Sequence, residues 1–197
     1  MAVRGLMGRD LHIVEVGSWV GESAVAMSTE LATQGSTITC VDTFEGSIGE
    51  PQMLSRIEQL GGAEVVCDMF LDNTLHDSRI KLIRKTSTEA AEQFRDASTH
   101  IVFLDAGHAK KDVLRDIGAW RSKVHPFGVL CGHDYGMAFP GVVEAVDEQF
   151  AVHGVPVYHP AGSNIWAVQN KDVRQLCPCH PTLDSLFSGL TDATNET

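Results

Sequence analysis

The feature that most constrains the fold of this chain is a regular alternation of short apolar runs with longer amphipathic stretches. The short runs are rich in β-branched residues, and the longer stretches carry apolar residues three and four positions apart. This alternation predicts parallel strands connected by crossover helices. Strands are predicted at residues 12–16, 37–41, 80–84, 100–104, 128–132, 155–158 and 164–169, and helices at 22–33, 51–60, 88–95, 110–124 and 142–153.

The last two predicted strands differ from the others because the chain leaves no room for a helix between them. Only a short Pro-Ala-Gly turn region separates Tyr158 from Asn164, so these strands should form an antiparallel hairpin at one edge. We therefore predict an α/β, Rossmann-like, doubly wound sheet of seven strands, mostly parallel with an antiparallel edge hairpin. A chain of 197 residues suits one domain, expected over residues 1–175, followed by a C-terminal tail at 176–197.

The charge of the chain limits its partners. Its formal net charge of -11 repels phosphate backbones and anionic lipids, which argues against nucleic-acid and membrane-surface partners. The sequence contains no run of about 18 apolar residues, and its first ten residues lack the apolar stretch of a secretory signal. We expect a cytoplasmic protein with a small neutral or cationic partner.

The cysteines do not predict a disulfide framework. They are five in number, and most lie within apolar segments, which is typical of buried reduced thiols. Cys177, Cys179 and His180 resemble half of a zinc site, but no second pair of ligands lies near them in the sequence. We interpret this segment as a tail stiffened by proline.

A glycine-bearing turn follows the first predicted strand. In this turn Gly17 and Gly21 stand between the strand and a helix, preceded by Glu15. Glycines let the backbone approach a ligand closely, and the start of the helix supplies free N–H donors. The same kind of turn also occurs where it serves packing alone, so both interpretations stay open on this motif.

An acidic residue at the end of the second predicted strand favours a nucleoside ligand. Asp42 follows the glycine loop by about 20 residues, and a carboxylate in that place can accept hydrogen bonds from both ribose hydroxyls. The spacing alone does not separate NAD from S-adenosylmethionine. Glu15, however, replaces the first glycine of the dinucleotide fingerprint and would repel a pyrophosphate.

These residues carry a resemblance to a known family. The run VEVGSWVGES at residues 14–23 resembles the first motif of class I S-adenosylmethionine-dependent methyltransferases, and Asp42 matches the acid of the second motif. In that family the glycine loop lies against the methionine part of the cofactor, and the acid holds the ribose. The resemblance implies cofactor contacts from Glu15, Gly17, Ser18, Gly21, Ser23, Asp42, Thr43, Phe44, Ser87 and Asp105, although Phe44 is equally interpreted as a core aromatic.

Four ionisable residues follow the fourth and fifth predicted strands. Asp105 and His108 come after the fourth strand, and His133 and Asp134 come after the fifth. The carboxyl ends of neighbouring parallel strands adjoin, so these side chains should converge where open α/β sheets bind ligands. We predict a Mg²⁺ or Mn²⁺ site formed by Asp105, His133 and Asp134, with His108 as the catalytic base and Asp105 as the alternative base.

The stretch from 105 to 150 carries a more specific resemblance, to the family of metal-dependent macrolide-sugar O-methyltransferases and cephalosporin-hydroxylase-like proteins. Its GHDY sequence at 132–135 is the most specific part. The resemblance implies metal-assisted O-methylation of a small hydroxylated acceptor such as a sugar. His133 departs from the family, because many of the sugar enzymes have a carboxylate there.

Two other functions stay open at this point. One is a regulatory or assembly subunit that binds S-adenosylmethionine without turnover, and the other is a metal-dependent hydrolase. The chain also begins almost directly at its first strand. We therefore expect an acceptor pocket that is either open or completed by another subunit in a homo-oligomer.

Overall fold

The computed structural model describes residues 8–170, which form an α/β fold around one sheet. Its strands are β1 (His12–Val16), β2 (Thr37–Val41), β3 (Ile80–Ile83), β4 (Thr99–Leu104), β5 (Val124–Gly132) and β6 (Trp166–Gln169). They are ordered β3-β2-β1-β4-β5-β6, with β1 to β5 parallel and β6 antiparallel to β5. The predicted Rossmann-like sheet with an antiparallel edge is therefore confirmed.

The predicted strand count was wrong, because the described part of the chain forms six strands and not seven. Residues 155–158 contribute a single antiparallel bridge, in which Tyr158 and Ala167 exchange two backbone hydrogen bonds of 2.8 Å. Pro156 lies inside the predicted strand and has no N–H to donate to a neighbouring strand. The antiparallel edge is thus formed mainly by β6 against β5.

The helices are α1 (Glu22–Leu31), α2 (Pro51–Leu60), α3 (Ala63–Thr74), α4 (Ser87–Ala91), α5 (Lys110–Trp120) and α6 (Pro140–Gln149). Short 3₁₀ turns follow α5 at Arg121–Lys123 and α6 at Ala151–His153. All except α3 were predicted within a few residues. Gly61 and Gly62, with φ of 109° and 102°, end α2 and start α3 in immediate succession, so the chain reverses without a recognisable loop.

The two faces of the sheet bury separate apolar clusters. Alternate strand residues such as Ile13 and Ile38 pack against α1, α2 and α3, while Val14 and Val102 pack against α4, α5 and α6. This division is the doubly wound arrangement that the strand and helix alternation predicts. It leaves the carboxyl ends of the parallel strands together at one edge of the sheet.

Within residues 8–170, Cys40, Cys67 and Cys131 are buried and free, as expected of reduced thiols. The Cys177–His180 segment and the tail at 176–197 lie outside the described residues. None of the helices in the described region is long and apolar enough to cross a bilayer.

Candidate active site

A cleft of about 860 Å³ lies at the carboxyl ends of the parallel strands. After the first two strands it is lined by the predicted residues Gly17, Ser18, Ser23, Asp42, Thr43 and Phe44. After the later strands it is lined by Ser87, Asp105, His108, His133 and Asp134. The structure therefore brings nearly all predicted site residues into one cleft, and only Glu15 and Gly21 lie outside its lining.

The Asp42 carboxylate connects the glycine loop to the end of β2. Its Oδ2 accepts hydrogen bonds from the backbone N–H groups of Ser18 at 2.8 Å and Trp19 at 2.9 Å, and its Oδ1 accepts one from Phe44 at 2.7 Å. Each carboxylate oxygen can accept more than one hydrogen bond. Asp42 is partly exposed to the cleft, so its oxygens can also accept hydrogen bonds from a ligand hydroxyl.

Packing explains why the loop has glycine at positions 17 and 21. A Cβ on Gly17 would lie 2.1 Å from the backbone oxygen of Asp105, and Gly17 has φ of 87°. A Cβ on Gly21 would lie 3.0 Å from the side chains of Phe70 and Thr74, and Gly21 has φ of 88° at the start of α1. The loop can therefore pass close to the end of β4 only because Gly17 lacks a side chain, and α1 can begin close to α3 because Gly21 lacks one.

Glu15 lies beneath the glycine loop and not in the cleft. The residue is 0% exposed, and its Oε1 makes no hydrogen bond within the described region. Burial raises the pKa of Glu15 to about 7, against the opposing effect of the Ser23 and Ser18 hydroxyls. The carboxyl group is thus much easier to protonate than an ordinary glutamate.

Phe44 is a core aromatic residue at the edge of the cleft, and its contact with a cofactor stays a prediction. It is buried in the core and its ring packs on Phe70 with centroids 5.7 Å apart, yet it also borders the cleft. Its φ of 63° lies in the left-handed region. Trp19 and Asp134, with φ of 47° and 61°, share this unusual conformation and also line the cleft. Backbone strain therefore concentrates at the cleft, as is common at functional sites.

His108 lies at the centre of the ionisable group predicted after β4 and β5. Its Nδ1 is 2.9 Å from Glu50 Oε1, and its Nε2 is 2.6 Å from Asp134 Oδ2 and 3.9 Å from Asp105 Oδ1. Although Nε2 is this close to a carboxylate, it has no well-aligned hydrogen bond to any described residue. The ring of Phe139 packs against the imidazole with centroids 4.3 Å apart, which shields one side of it.

His133 occupies the neighbouring position. Its Nδ1 is 3.1 Å from Asp134 Oδ1 and 3.9 Å from Asp105 Oδ1. Burial lowers the pKa of His133, but the two carboxylates outweigh burial and raise its pKa overall. Both histidines therefore share the same pair of aspartates.

The charges of these side chains strongly affect one another's pKa values. Burial lowers the pKa of His108, but the nearby carboxylates of Asp105 and Asp134, together with the charge of Glu50, outweigh it and raise the pKa to about 10. Burial raises the pKa of Asp134, but both histidines outweigh this and hold it well below its usual range. With only protein groups in place, these carboxylates favour the protonated form of the His108 imidazole.

The donor atoms in this group are arranged as metal ligands often are. One atom each from Asp105, His108 and Asp134 lie within 4.8 Å of one another. Two carboxylates and an imidazole form a ligand set suited to Mn²⁺ and related divalent ions. The group contains His108, whereas the sequence predicted His133 as its nitrogen ligand.

Glu50 is a residue of the site that the sequence did not predict. Its Oε1 accepts hydrogen bonds from the His108 backbone nitrogen at 2.8 Å and faces His108 Nδ1. The only local signal is that Glu50 immediately precedes a proline that starts a helix. Nothing in the sequence connects it to a histidine 58 positions later.

The chain is similar to known proteins in both sequence and fold. Residues 14–135, more than half of the chain, match a family model described as a methyltransferase domain. A protein of Sinorhizobium fredii, y4gI, itself uncharacterized, is 29% identical over 130 residues. The aligned region is 64% of this chain and 13% of that protein, so the relative is far longer than the region it shares.

Solved structures share the fold. Human methyltransferase-like protein 13, in complex with SAH, matches with a TM-score of 0.60 at 15% identity. The aligned region covers 100% of this chain and 87% of the human chain. CalS11, a TDP-rhamnose 3′-O-methyltransferase of calicheamicin biosynthesis, matches with a TM-score of 0.54 at 16% identity, covering 87% and 76%. A SAM-dependent methyltransferase from Aquifex aeolicus matches with a TM-score of 0.52 at 12% identity, covering 85% of each chain.

The family match spans the glycine loop, Asp42 and the residues that follow β4 and β5, which are the parts of the chain that form the cleft. The fold likeness extends over the rest of the sheet. The chain therefore belongs to the methyltransferase-domain family, and it shares its fold with solved S-adenosylmethionine-dependent methyltransferases.

Proposed function

We propose that this protein transfers the methyl group of S-adenosylmethionine to a hydroxyl oxygen of a small acceptor, assisted by a divalent cation. One observation carries the proposal. The glycine loop with Asp42, and the group formed by Asp105, His108 and Asp134, lie in the same cleft. A methyl donor and a polarised hydroxyl could therefore be held next to each other.

The cofactor would extend along the strand ends. Asp42 would accept hydrogen bonds from the ribose hydroxyls, and the loop at Gly17 and Ser18 would lie against the methionine part. Glu15 and Gly21 would act indirectly, because neither lines the cleft. Glu15 would support the loop from below, and Gly21 would start α1 with its free N–H groups towards the cofactor.

The residues that would hold the cation are Asp105, His108 and Asp134. The position of His108 Nε2 supports this role, because it lies close to two carboxylates without a well-aligned hydrogen bond to any residue in 8–170. An imidazole ligand favours Mn²⁺ over Mg²⁺. A divalent cation in this place would polarise the acceptor hydroxyl and lower its pKa.

The protein groups would then complete the reaction. The Asp105 side chain is more exposed than those of Asp134 and His108. We therefore propose that Asp105 accepts the proton of the acceptor hydroxyl. Bound S-adenosylmethionine would supply its sulfonium methyl group to the hydroxyl oxygen, with cleavage of the carbon–sulfur bond and release of S-adenosylhomocysteine. Glu50 would orient His108 through Nδ1. In this scheme His108 is a ligand and not the base that its sequence position suggested.

The acceptor class is proposed from likeness. A sugar hydroxyl fits the resemblance of residues 105–150, and CalS11, one of the structural neighbours, is a sugar O-methyltransferase. At the mouth of the cleft, Ile48 is 88% exposed and Phe139 is partly exposed. These apolar side chains would cover the less polar face of such an acceptor.

The proposal is tested by measuring methyl transfer from radiolabelled S-adenosylmethionine to a panel of hydroxylated acceptors, with Mn²⁺ and with a chelator. We expect chelator-sensitive transfer to at least one acceptor. His108→Gln should lose Mn²⁺ binding, measured by electron paramagnetic resonance, by about 100-fold or more, whereas the control His133→Gln should lose it by about 10-fold. A larger loss in His133→Gln would assign the nitrogen ligand to His133 and return His108 to the role of base.

Two further assays, for S-adenosylhomocysteine binding and for phosphatase or esterase turnover, separate the other functions. Binding of S-adenosylhomocysteine without transfer to any acceptor would favour a subunit without turnover. Phosphatase or esterase turnover with Mn²⁺, without binding of S-adenosylhomocysteine, would favour a hydrolase. Both outcomes contradict the proposed methyl transfer.

A further inference from the structure

Three histidines lie at the amino ends of the strands, at the end of the sheet away from the cleft. His12 begins β1, and His100 and His125 are the second residues of β4 and β5. The rings of His100 and His125 lie with their centroids 5.6 Å apart, and all three residues are half-buried. The proposed methyl transfer uses none of them, because the cleft lies at the carboxyl ends of these strands.

His100 takes the place of a backbone carbonyl in the pairing of β1 with β4. The regular register of these strands begins at Ile13 and Ile101, so the His12 N–H lies just before it. That N–H donates instead to the Nδ1 of His100, at a distance of 2.9 Å. An imidazole nitrogen accepts a hydrogen bond only when it carries no hydrogen. The contact therefore requires the neutral His100 ring with its hydrogen on Nε2.

His125 has the same requirement on the neighbouring strand. β5 bulges here, because four of its residues, 125–128, lie opposite the single residue His100 of β4. The Phe127 N–H donates to His125 Nδ1 at 3.2 Å, and the two rings pack with centroids 5.7 Å apart. Two adjacent imidazoles thus hold backbone N–H groups that only a nitrogen without a hydrogen can accept.

The surroundings of His100 oppose its protonation. Burial lowers its pKa, and its titratable neighbours from β5 and β1, His125 and His12, lower it further. Asp96 and Lys123, which precede β4 and β5, pair with each other at 2.8 Å. The native state therefore takes up this proton less readily than the unfolded chain does. The contribution of neutral His100 to stability is complete above its ordinary pKa of 6.5, and it is lost as the pH falls from there through the lowered pKa.

We propose that His100 is a proton-operated switch at the amino ends of β1, β4 and β5. In its neutral form the ring accepts the His12 N–H and holds the first residue of β1 against β4. A proton taken up from solvent adds a hydrogen to Nδ1, so the ring and the His12 N–H become two donors that face each other. The new positive charge also lies beside the His125 ring. Mild acid therefore releases the start of β1 and loosens the bulge of β5.

Amide hydrogen exchange at two backbone positions tests the switch in the native protein. The protection factor of the His12 amide should fall about 5-fold or more between about pH 8 and about pH 5, because its hydrogen bond is lost. The Ile38 amide on β2, which donates to the Arg79 carbonyl at 2.9 Å, should show no such fall. This reference amide corrects for changes in global stability, such as one caused by the raised pKa of Glu15. A ratio of the two protection factors that does not change with pH would overturn the inference.

Two variants test whether His100 is the group that takes up the proton. His100→Asn places an amide oxygen near the position of Nδ1, so it should keep the His12 amide protected at about pH 8 and remove the pH dependence. His153→Asn, at an exposed histidine in the turn after α6, should keep the native pH dependence. A pH dependence that persists in a folded His100→Asn variant would contradict the proposal.

Nuclear magnetic resonance of the imidazole nitrogens gives a second measurement that needs no variant. In the native protein at about pH 8, the His100 ring should carry its hydrogen on Nε2 and none on Nδ1. A hydrogen on Nδ1 at this pH would overturn the switch, whether or not His100→Asn folds.

Discussion

Glu50 Oε1 lies 2.9 Å from His108 Nδ1 and 2.8 Å from the His108 backbone nitrogen. One carboxylate oxygen thus fixes both the ring and the main chain of the residue that borders Asp105 and Asp134. The orientation of His108 is therefore decided by a residue at the start of α2 and not by its own loop. A partner of this kind sets the tautomer of a histidine and directs its other nitrogen.

Glu50→Ala should weaken Mn²⁺ binding by about 10- to 100-fold, because His108 would lose the group that orients it. Glu50→Gln should remain within a few-fold of the native protein, since an amide oxygen can still accept the Nδ1 hydrogen. Electron paramagnetic resonance titration measures both affinities. Native affinity in a folded Glu50→Ala variant would show that the Glu50 contact does not position His108.

Gly17→Ala should destabilise the protein severely, because the new Cβ would lie 2.1 Å from the Asp105 backbone oxygen at φ of 87°. Overpacking and a left-handed alanine together cost about 2–5 kcal/mol of unfolding free energy. Gly162→Ala is the matched control, because Gly162 has φ of 79° and no described atom within 4 Å of a new Cβ. The unfolding free energy of the Gly162→Ala variant should fall by only about 1 kcal/mol. Equal losses in urea unfolding would refute the steric explanation.

Asp42→Ala should weaken S-adenosylhomocysteine binding by at least about 10-fold and also lower the melting temperature. Both effects follow from its geometry, since the carboxylate accepts three backbone hydrogen bonds and faces the cleft. Asp68→Asn, an exposed acidic position on α3, serves as the control. Calorimetry and thermal unfolding measure the two effects separately. A stable Asp42→Ala variant with native affinity would remove Asp42 from both roles.

Much of this fold was predictable because local patterns decide it. The β-branched runs at His12–Val16 and Thr37–Val41 form the strands that they indicate, and Asp42 lies at a strand end because the apolar run stops there. The segment at 155–158 has a similar composition, but Pro156 prevents regular pairing. Helix α3 follows a pair of left-handed glycines, which look like a loop in the sequence.

The site was predictable only where the topology alone determines it. Asp105 and Asp134 adjoin because the strands that carry them are neighbours in a parallel sheet. Which of His108 and His133 faces both aspartates as the proposed nitrogen ligand depends on the orientation of each ring. Glu50 and Phe139, which are distant in the sequence, contact the His108 ring and orient it. Those are tertiary contacts, and no local sequence pattern predicts them.

Glu15 makes the stability of the protein depend on pH. Burial raises its pKa from an ordinary value of 4.5 to about 7, so the native state favours the protonated form. Below pH 4.5 both the native and the unfolded states are protonated, and the group imposes no penalty. Between pH 4.5 and about 7 the unfolded state releases its proton first, so the unfolding free energy falls, by about 3 kcal/mol in total.

Glu15→Gln should therefore be more stable than the native protein at pH 8.5, by up to about 3 kcal/mol, because glutamine resembles the protonated carboxyl group and does not ionise. The difference should shrink as the pH falls and vanish near pH 4.5. Urea unfolding at several pH values measures it, with the exposed Glu30→Gln as the control that should show no such trend. A stability difference between Glu15→Gln and the native protein that stays constant from pH 4.5 to 8.5 would mean that Glu15 does not titrate in this range.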